Sequence, residues 1–236
     1  RLVLNNLLVV RNNPLGLEDQ IRFGLQLRLY ESTSAVTRDN FVFLGLAPKL
    51  NPAYFKFGPS IELQPLSILN VRLAAEYVSF FSTFGFLQSF ASPGENYSDT
   101  TLKQRRDAAL NYSTSGFHVM IEPMVQLKLG PVALRNKLAL ERWEMKVSAG
   151  DTVWYDATLD TLVPASGWTL ANDLDALVFL SKKLVLGLRY SHVAPLYNVN
   201  QIVDGQDLGN LNAHHRVGPL VAYTFFDDGY TKFNRP

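Results

Sequence analysis

Residues 20–31 read QIRFGLQLRLYE, and their side chains alternate in character with a period of two. Isoleucine, phenylalanine and leucines occupy the odd positions, whereas arginines, glutamine, glycine and tyrosine occupy the even ones. Because successive side chains of a strand point to opposite faces, this period predicts a strand with one apolar and one polar face. In a soluble protein the leucine face would pack inside. In a membrane barrel it would contact lipid, and the arginines would line the lumen.

The same alternation recurs along the chain and predicts ten strands. They lie near 2–11, 20–31, 40–50, 55–64, 69–77, 117–128, 132–146, 168–181, 184–197 and 214–226. Most are close to the roughly 9–11 residues that a tilted strand needs to cross a bilayer. In 132–146 the alternation changes phase near Arg142–Trp143, which predicts a β-bulge. The length of 236 residues suits a single all-β domain covering residues 1–236.

Short and long connections alternate from the middle of the chain onward. Long loops are predicted near 87–115, 147–167 and 198–213, with short turns between them. Outer-membrane barrels show this asymmetry, with short periplasmic turns and long extracellular loops. The first long loop contains TTLKQRRDAAL (100–110), which predicts a short helix after a serine or aspartate cap.

Composition excludes several classes of protein. The formal net charge of +1 gives no electrostatic footprint for nucleic acid. The absence of cysteine excludes disulfides and thiolate metal sites, and the four histidines are too scattered for metal-ligand spacing, so neither a metal nor a cofactor is expected. No apolar run approaches the roughly 20 residues of a transmembrane helix. A chain of this kind could enter a membrane only as a closed barrel. Since Arg1 opens directly into LVLNNLLVV with no signal peptide, we expect a mature or trimmed product.

Two further observations favour the membrane interpretation over a soluble sandwich or barrel. The apolar faces carry large residues throughout, more bulk than one small interior accommodates, and aromatic residues gather near strand ends as in interfacial girdles. The polar faces carry both signs of charge in mid-strand, as a lumen lined by ion pairs requires, but a solvated outer surface would carry them too, so this observation is neutral. The predicted lumen network consists of Arg28, Arg72, Glu76, Glu122, Lys137, Glu141 and Arg189.

These features together resemble those of Gram-negative outer-membrane β-barrel proteins. The resemblance is architectural and carries no family-specific motif. It implies an antiparallel up-and-down transmembrane barrel in the bacterial outer membrane, acting as a narrow pore or as a structural or binding scaffold. Membrane lipid is the implied partner, and KQRRD (103–107) is a candidate contact for lipopolysaccharide phosphates. Such barrels have even strand numbers and usually end on an aromatic residue. This chain ends GYTKFNRP, so either ten strands close or the full protein has twelve.

Two alternative functions stay open at the level of sequence. An outer-membrane hydrolase would use Asp173, Asp175 and His214 or His215 as an acid–base set at the barrel rim. The two aspartates share one strand face about 7 Å apart, but nothing forces the histidines towards them, so catalysis is not the favoured hypothesis. The other alternative is a soluble barrel that binds an apolar ligand between inward-facing leucines. Neither the solute nor a protein partner is indicated.

Overall fold

The computed structural model describes residues 1–12, 15–202 and 211–225, and its main feature is one large antiparallel sheet of twelve strands. These strands are β1 (Leu2–Asn12), β2 (Leu15–Leu27), β3 (Phe41–Leu46), β4 (Lys49–Asn51), β5 (Tyr54–Phe57), β6 (Pro59–Leu66), β7 (Leu69–Phe81), β9 (Ser113–Leu129), β10 (Val132–Met145), β13 (Ser166–Phe179), β14 (Leu184–Leu196) and β15 (His214–Tyr223). A second sheet contains β8 (Ser89–Phe90), β11 (Val153–Asp156) and β12 (Thr161–Pro164).

The large sheet is a meander in which chain neighbours pair. Strands β3 and β4 follow one another along β2 in one unbroken register, and β5 and β6 follow one another along β7 in one register as far as Leu63, after which it shifts before Leu66. The twelve strands therefore occupy ten positions across the sheet, as the alternation predicts. The boundary that differs most is the start of β2 at Leu15, because the ladder with β1 continues through most of the connection expected at 12–19.

The apolar face of this sheet is the outer one. Leu25 is 53% exposed and Leu73 is 41% exposed, and the same holds for the leucines, valines and phenylalanines that share their face. The opposite face buries charged side chains, and Glu76, for example, is only 2% exposed. The question posed by residues 20–31 therefore has a structural answer: the leucines point out and Arg22 points in, towards Glu62.

The sheet curls until its two edges approach the same turn. Arg11 of β1 donates to the Thr158 carbonyl at 3.0 Å, and Arg216 of β15 donates to the Leu159 carbonyl at 3.3 Å. Strands lie about 4.7–4.9 Å apart, so a flat sheet with ten positions would hold these edges about 40 Å from each other. The contacts through Thr158 and Leu159 show that the charged face is the concave one.

The long connections form a separate layer at one end of the sheet, here called the cap (residues 82–112, 146–165 and 197–202). The cap contains β8, β11, β12, a 3-10 turn at Val199–Gln201 and helix α1 (Asp99–Asp107). Helix α1 follows Ser98, which confirms the short helix predicted within 100–110. In the described part of the chain, no helix is both long and apolar enough to cross a membrane.

The phase change in β10 is not a bulge, so that prediction is wrong. The register with β13 runs without interruption through Arg142↔Trp168 and Trp143↔Gly167. Trp143 is fully buried inside, whereas Arg142 lies on the outer face. The apparent change of phase has another physical cause: at this end of β10 the inward residues Trp143 and Met145 are apolar and the outward residues Arg142 and Glu144 are charged, the reverse of the middle of the strand.

Candidate functional site

A chain of ion pairs lines the concave face of the large sheet. Arg72 lies directly across from Glu122 in the ladder of β7 and β9, with Nη2 and Oε1 2.9 Å apart. Lys137 reaches Glu122 Oε2 at 3.5 Å and Asp173 Oδ2 at 3.6 Å, and Arg189 reaches Asp173 at 3.8 Å. Antiparallel pairing thus brings opposite charges within reach of one another on five neighbouring strands, β7, β9, β10, β13 and β14.

Among the carboxylates in this chain of ion pairs, Asp175 accepts the most hydrogen bonds. The ladders of β13 with β10 and with β14 place it between Arg135 and Arg189. Arg189 donates to it from Nε at 2.6 Å and from Nη2 at 2.9 Å, and Arg135 donates from Nε at 2.9 Å. Because the carboxylate is buried, these charge-assisted hydrogen bonds replace its hydration.

A second charged cluster lies closer to the cap than the ion pairs do, where the sheet meets the cap. His118 Nδ1 lies 2.8 Å from Glu76 Oε2, and His118 Nε2 lies 3.0 Å from Glu141 Oε2. Lys49 Nζ reaches Glu76 Oε1 at 2.9 Å. Since a carboxylate only accepts hydrogen bonds, both ring nitrogens of His118 are placed to donate. Four strands, β4, β7, β9 and β10, are tied together by this cluster.

Aromatic rings cover this cluster on the side of the cap. Trp143 stacks on His118 with ring centroids 4.0 Å apart, and Trp154 of β11 meets Trp143 edge to face at 5.1 Å. The ammonium of Lys56 lies 4.8 Å from the centre of the Trp143 ring. The cap hairpin (residues 153–164, β11 and β12) therefore packs directly onto the charged interior.

The cap hairpin contains the stretch WYDATLDTL (154–162), whose mixture of aromatic and acidic residues in an expected exposed loop would suit cation or sugar binding, although a strand extension above the membrane is the favoured interpretation of the sequence. The structure instead folds it inward, and all four residues of β11 are buried. Asp156 accepts the N–H groups of Thr158 and Leu159 at 2.6 and 3.3 Å and so closes the turn. Burial raises the pKa of Asp156, and the nearby Lys56 offsets this only in part.

The predicted network residues occupy three different places. Arg72, Glu122, Lys137 and Arg189 belong to the ion-pair chain, and Glu76 and Glu141 belong to the His118 cluster. Arg28 belongs to neither in the structure. It follows the last residue of β2 and donates to the carbonyls of Tyr30, Ser32 and Arg38. The strand ends there because the chain turns, and the Asn40 side chain accepts from the backbone N–H groups of Leu29 and Tyr30.

The four candidate catalytic residues are not brought together. Asp173 and Asp175 lie on the concave face, bonded to Ser191 and to arginines. His215 stacks on His192 at 4.3 Å and lies 2.7 Å from the hydroxyl of Tyr190, which points outward. Within the described residues neither His215 nor His214 hydrogen-bonds to either aspartate. Their strand β15 is two positions away from β13, and the residue of β15 at the level of Asp173 is Arg216 and not a histidine.

A cavity of about 620 Å³ opens at the cap end, between the cap hairpin and the ends of β1, β2 and β5. Its lining includes Tyr54, Lys56, Phe80, Phe84, Phe86 and Trp154. Sequence reasoning missed this site, because its walls come from segments far apart in the chain. Among the described residues, no group of three or more histidine, aspartate or glutamate side chains is arranged to hold a metal ion.

Comparison with known proteins provides no relative. No family model matches the chain, and no match was found among the curated proteins or the solved structures.

Proposed function

We propose that the chain is an integral β-barrel of a bacterial outer membrane and acts as a narrow pore whose cap end is restricted by the cap hairpin. The observation that carries this proposal is the sidedness of the sheet. Leucine, valine and phenylalanine side chains are exposed on nearly every long strand, while charged side chains are buried on the concave face. This is the arrangement expected of strands whose outside is hydrocarbon and whose inside is polar.

The outer face exposes a larger apolar surface than is usual for a protein in water. Monomeric soluble proteins rarely expose contiguous apolar patches larger than a few hundred Å². Here the exposed apolar residues run from Leu2 on the first strand to Val221 on the last. The soluble alternative needs the leucines inside, so the observed orientation counts against it. Lipid contact satisfies this surface, and the approach of β1 and β15 to one turn supports closure of the sheet.

The interior favours a narrow pore over a wide channel. A barrel of ten to twelve strands is only slightly wider than one that side chains fill completely. Charged side chains of neighbouring strands pair along the concave face, as Arg72 does with Glu122 and Arg135 with Asp175. Ions and small polar solutes pass through a lumen with a charged lining more readily than through one with an apolar lining. The cap hairpin sets the width of the lumen at one end.

Spin labels test the orientation of the sheet in lipid. Because the chain has no cysteine, Leu25→Cys and Leu73→Cys each provide a single labelling site. In reconstituted protein both labels are expected to collide freely with oxygen and to be shielded from a polar nickel reagent, since oxygen concentrates in hydrocarbon. Gln26→Cys, on the polar face beside Leu25, is the matched control. Equal access of the nickel reagent to all three sites would contradict the membrane proposal.

Conductance across a planar bilayer tests the pore. Replacing residues 155–162 by two glycines shortens the cap hairpin at its tip and leaves the Val153↔Pro164 pair in place. We expect the single-channel conductance to rise several-fold, because the obstruction is withdrawn from the lumen.

The control for this experiment shortens the exposed connection 32–36 at the opposite end of the sheet by the same means. Its conductance should equal that of the unmodified protein. Absence of channels in both the unmodified and the shortened protein would reject the pore and leave a structural or binding scaffold.

A further inference from the structure

We propose that the cavity at the cap end binds a small aromatic monocarboxylate, with Lys56 as its counter-ion. The inference deepens the proposed function by naming a class of solute, and it rests on that function only for the idea that the bound molecule travels through the barrel. Binding itself is a property of the folded chain.

Lys56 is the residue of the cavity that favours binding of an anionic ligand. It is only 8% exposed, and it lines the cavity. Its ammonium lies over two rings, 4.8 Å from the centre of Trp143 and 5.2 Å from that of Tyr54. Among the described residues the carboxylates of Glu76, Glu141 and Asp156 interact with its charge from a distance, but none of their oxygens lies within ion-pairing distance of it. Buried charges in proteins are normally paired, because the loss of hydration is expensive.

The acidic groups of the cavity have other partners. Glu18 accepts a hydrogen bond from the Tyr54 hydroxyl, and Asp156 holds the turn of the cap hairpin through two backbone N–H groups. Arg11, at the edge of the cavity, is engaged with the Thr158 carbonyl at 3.0 Å, and Arg106, which also lines the cavity, pairs with Asp107 at 3.3 Å. Lys56 is therefore the cation best placed to receive an anionic group from a ligand, and one such cation suits one carboxylate.

The remaining walls suit an aromatic body. Phe80 and Trp154 meet edge to face at 5.5 Å and form the floor, and Phe86 lies beside them. Phe84 lies at the rim, where its ring is largely exposed to solvent. Aromatic rings prefer offset or edge-to-face contacts with other rings. The volume of about 620 Å³ lies within the roughly 300–1,000 Å³ of small-molecule sites.

Calorimetric titration of the full chain in detergent with 2-naphthoate tests the site. Its neutral isostere 2-naphthamide has the same body without the charge. We expect 2-naphthoate to bind the unmodified protein, and Lys56→Met to weaken this binding about 10- to 100-fold, as expected for loss of a charged hydrogen bond. The matched control is Lys128→Met, because Lys128 also lies over a ring, that of Phe179 at 3.7 Å, but at the opposite end of the sheet. Its affinity should not change.

A second variant covers the event that Lys56→Met does not fold. Phe84→Glu places a negative charge at the exposed rim, where it leaves the packing intact, and should weaken 2-naphthoate at least tenfold more than 2-naphthamide. Equal binding of the two compounds to the unmodified protein, or no effect of the charge at either position, overturns the inference. Since titration requires no conductance, a protein that binds 2-naphthoate without forming channels would reject the pore alone, and one that conducts without binding would reject this site alone.

Discussion

Replacing Glu76 with leucine is expected to lower the free energy of unfolding by about 3–5 kcal/mol, because it leaves buried donors without their acceptor. Glu76 accepts from Lys49 at 2.9 Å and from His118 at 2.8 Å, and neither partner has much access to water. Leucine fills a similar volume but accepts nothing. The loss should appear as a lower urea midpoint in detergent, followed by tryptophan fluorescence.

The matched control for Glu76→Leu is Glu144→Leu. Glu144 lies on the outer face beside Arg142, and both side chains are substantially exposed. Exposed ion pairs contribute about 0–1 kcal/mol, so this variant should unfold almost like the unmodified protein. Combining Glu76→Leu with Lys49→Met should restore part of the stability, because the stranded cation is removed as well. Equal midpoints for Glu76→Leu and Glu144→Leu would mean that the concave face is hydrated and not buried.

Replacing Trp143 with alanine is expected to have an effect of similar size, about 3–5 kcal/mol, but through packing. The ring is 0% exposed and contacts the imidazole of His118 on one side and the indole of Trp154 on another. Its removal leaves a void between the charged interior and the cap. We therefore expect the cap hairpin to become sensitive to protease before the strands unfold, which limited proteolysis in detergent detects.

Trp168→Ala is the matched control for Trp143→Ala. Trp168 is the same residue type on the neighbouring strand, but it lies on the outer face and is 36% exposed. Its loss should change the midpoint by less than about 1 kcal/mol and leave the cap hairpin resistant to protease. Equal sensitivity of the two variants would show that the cap hairpin does not depend on the Trp143 contact.

The faces of the strands could be predicted from sequence because alternation is a local property. Leu25 and Arg22 differ in parity, and parity alone decides which side of a strand each one occupies. The partners within a face could not be predicted this way. Arg72 and Glu76 share a face of β7, yet Arg72 pairs with Glu122 and Glu76 with Lys49, because cross-strand neighbours depend on register.

The cap escaped prediction for a related reason. Trp154 pairs with Ser89 across the small sheet, two positions that no local pattern connects. The phase change at Trp143 was a visible signal of the cap, but alternation does not reveal what fills an interior. A run of inward aromatic residues near one end of a strand indicates an inserted segment as readily as a bulge.

The cap has a consequence for how the proposed barrel would be held in a membrane. It has an apolar core of its own, formed by Phe90, Val153, Tyr155 and Leu162, and its helix α1 carries Lys103, Arg105 and Arg106. If the strands span a bilayer, this folded and charged body is too large and too polar to be drawn back through the hydrocarbon layer. When such a barrel is pulled from the side opposite the cap, the cap must unfold before any strand can leave the bilayer. The core formed by three distant loops would therefore also anchor the barrel mechanically.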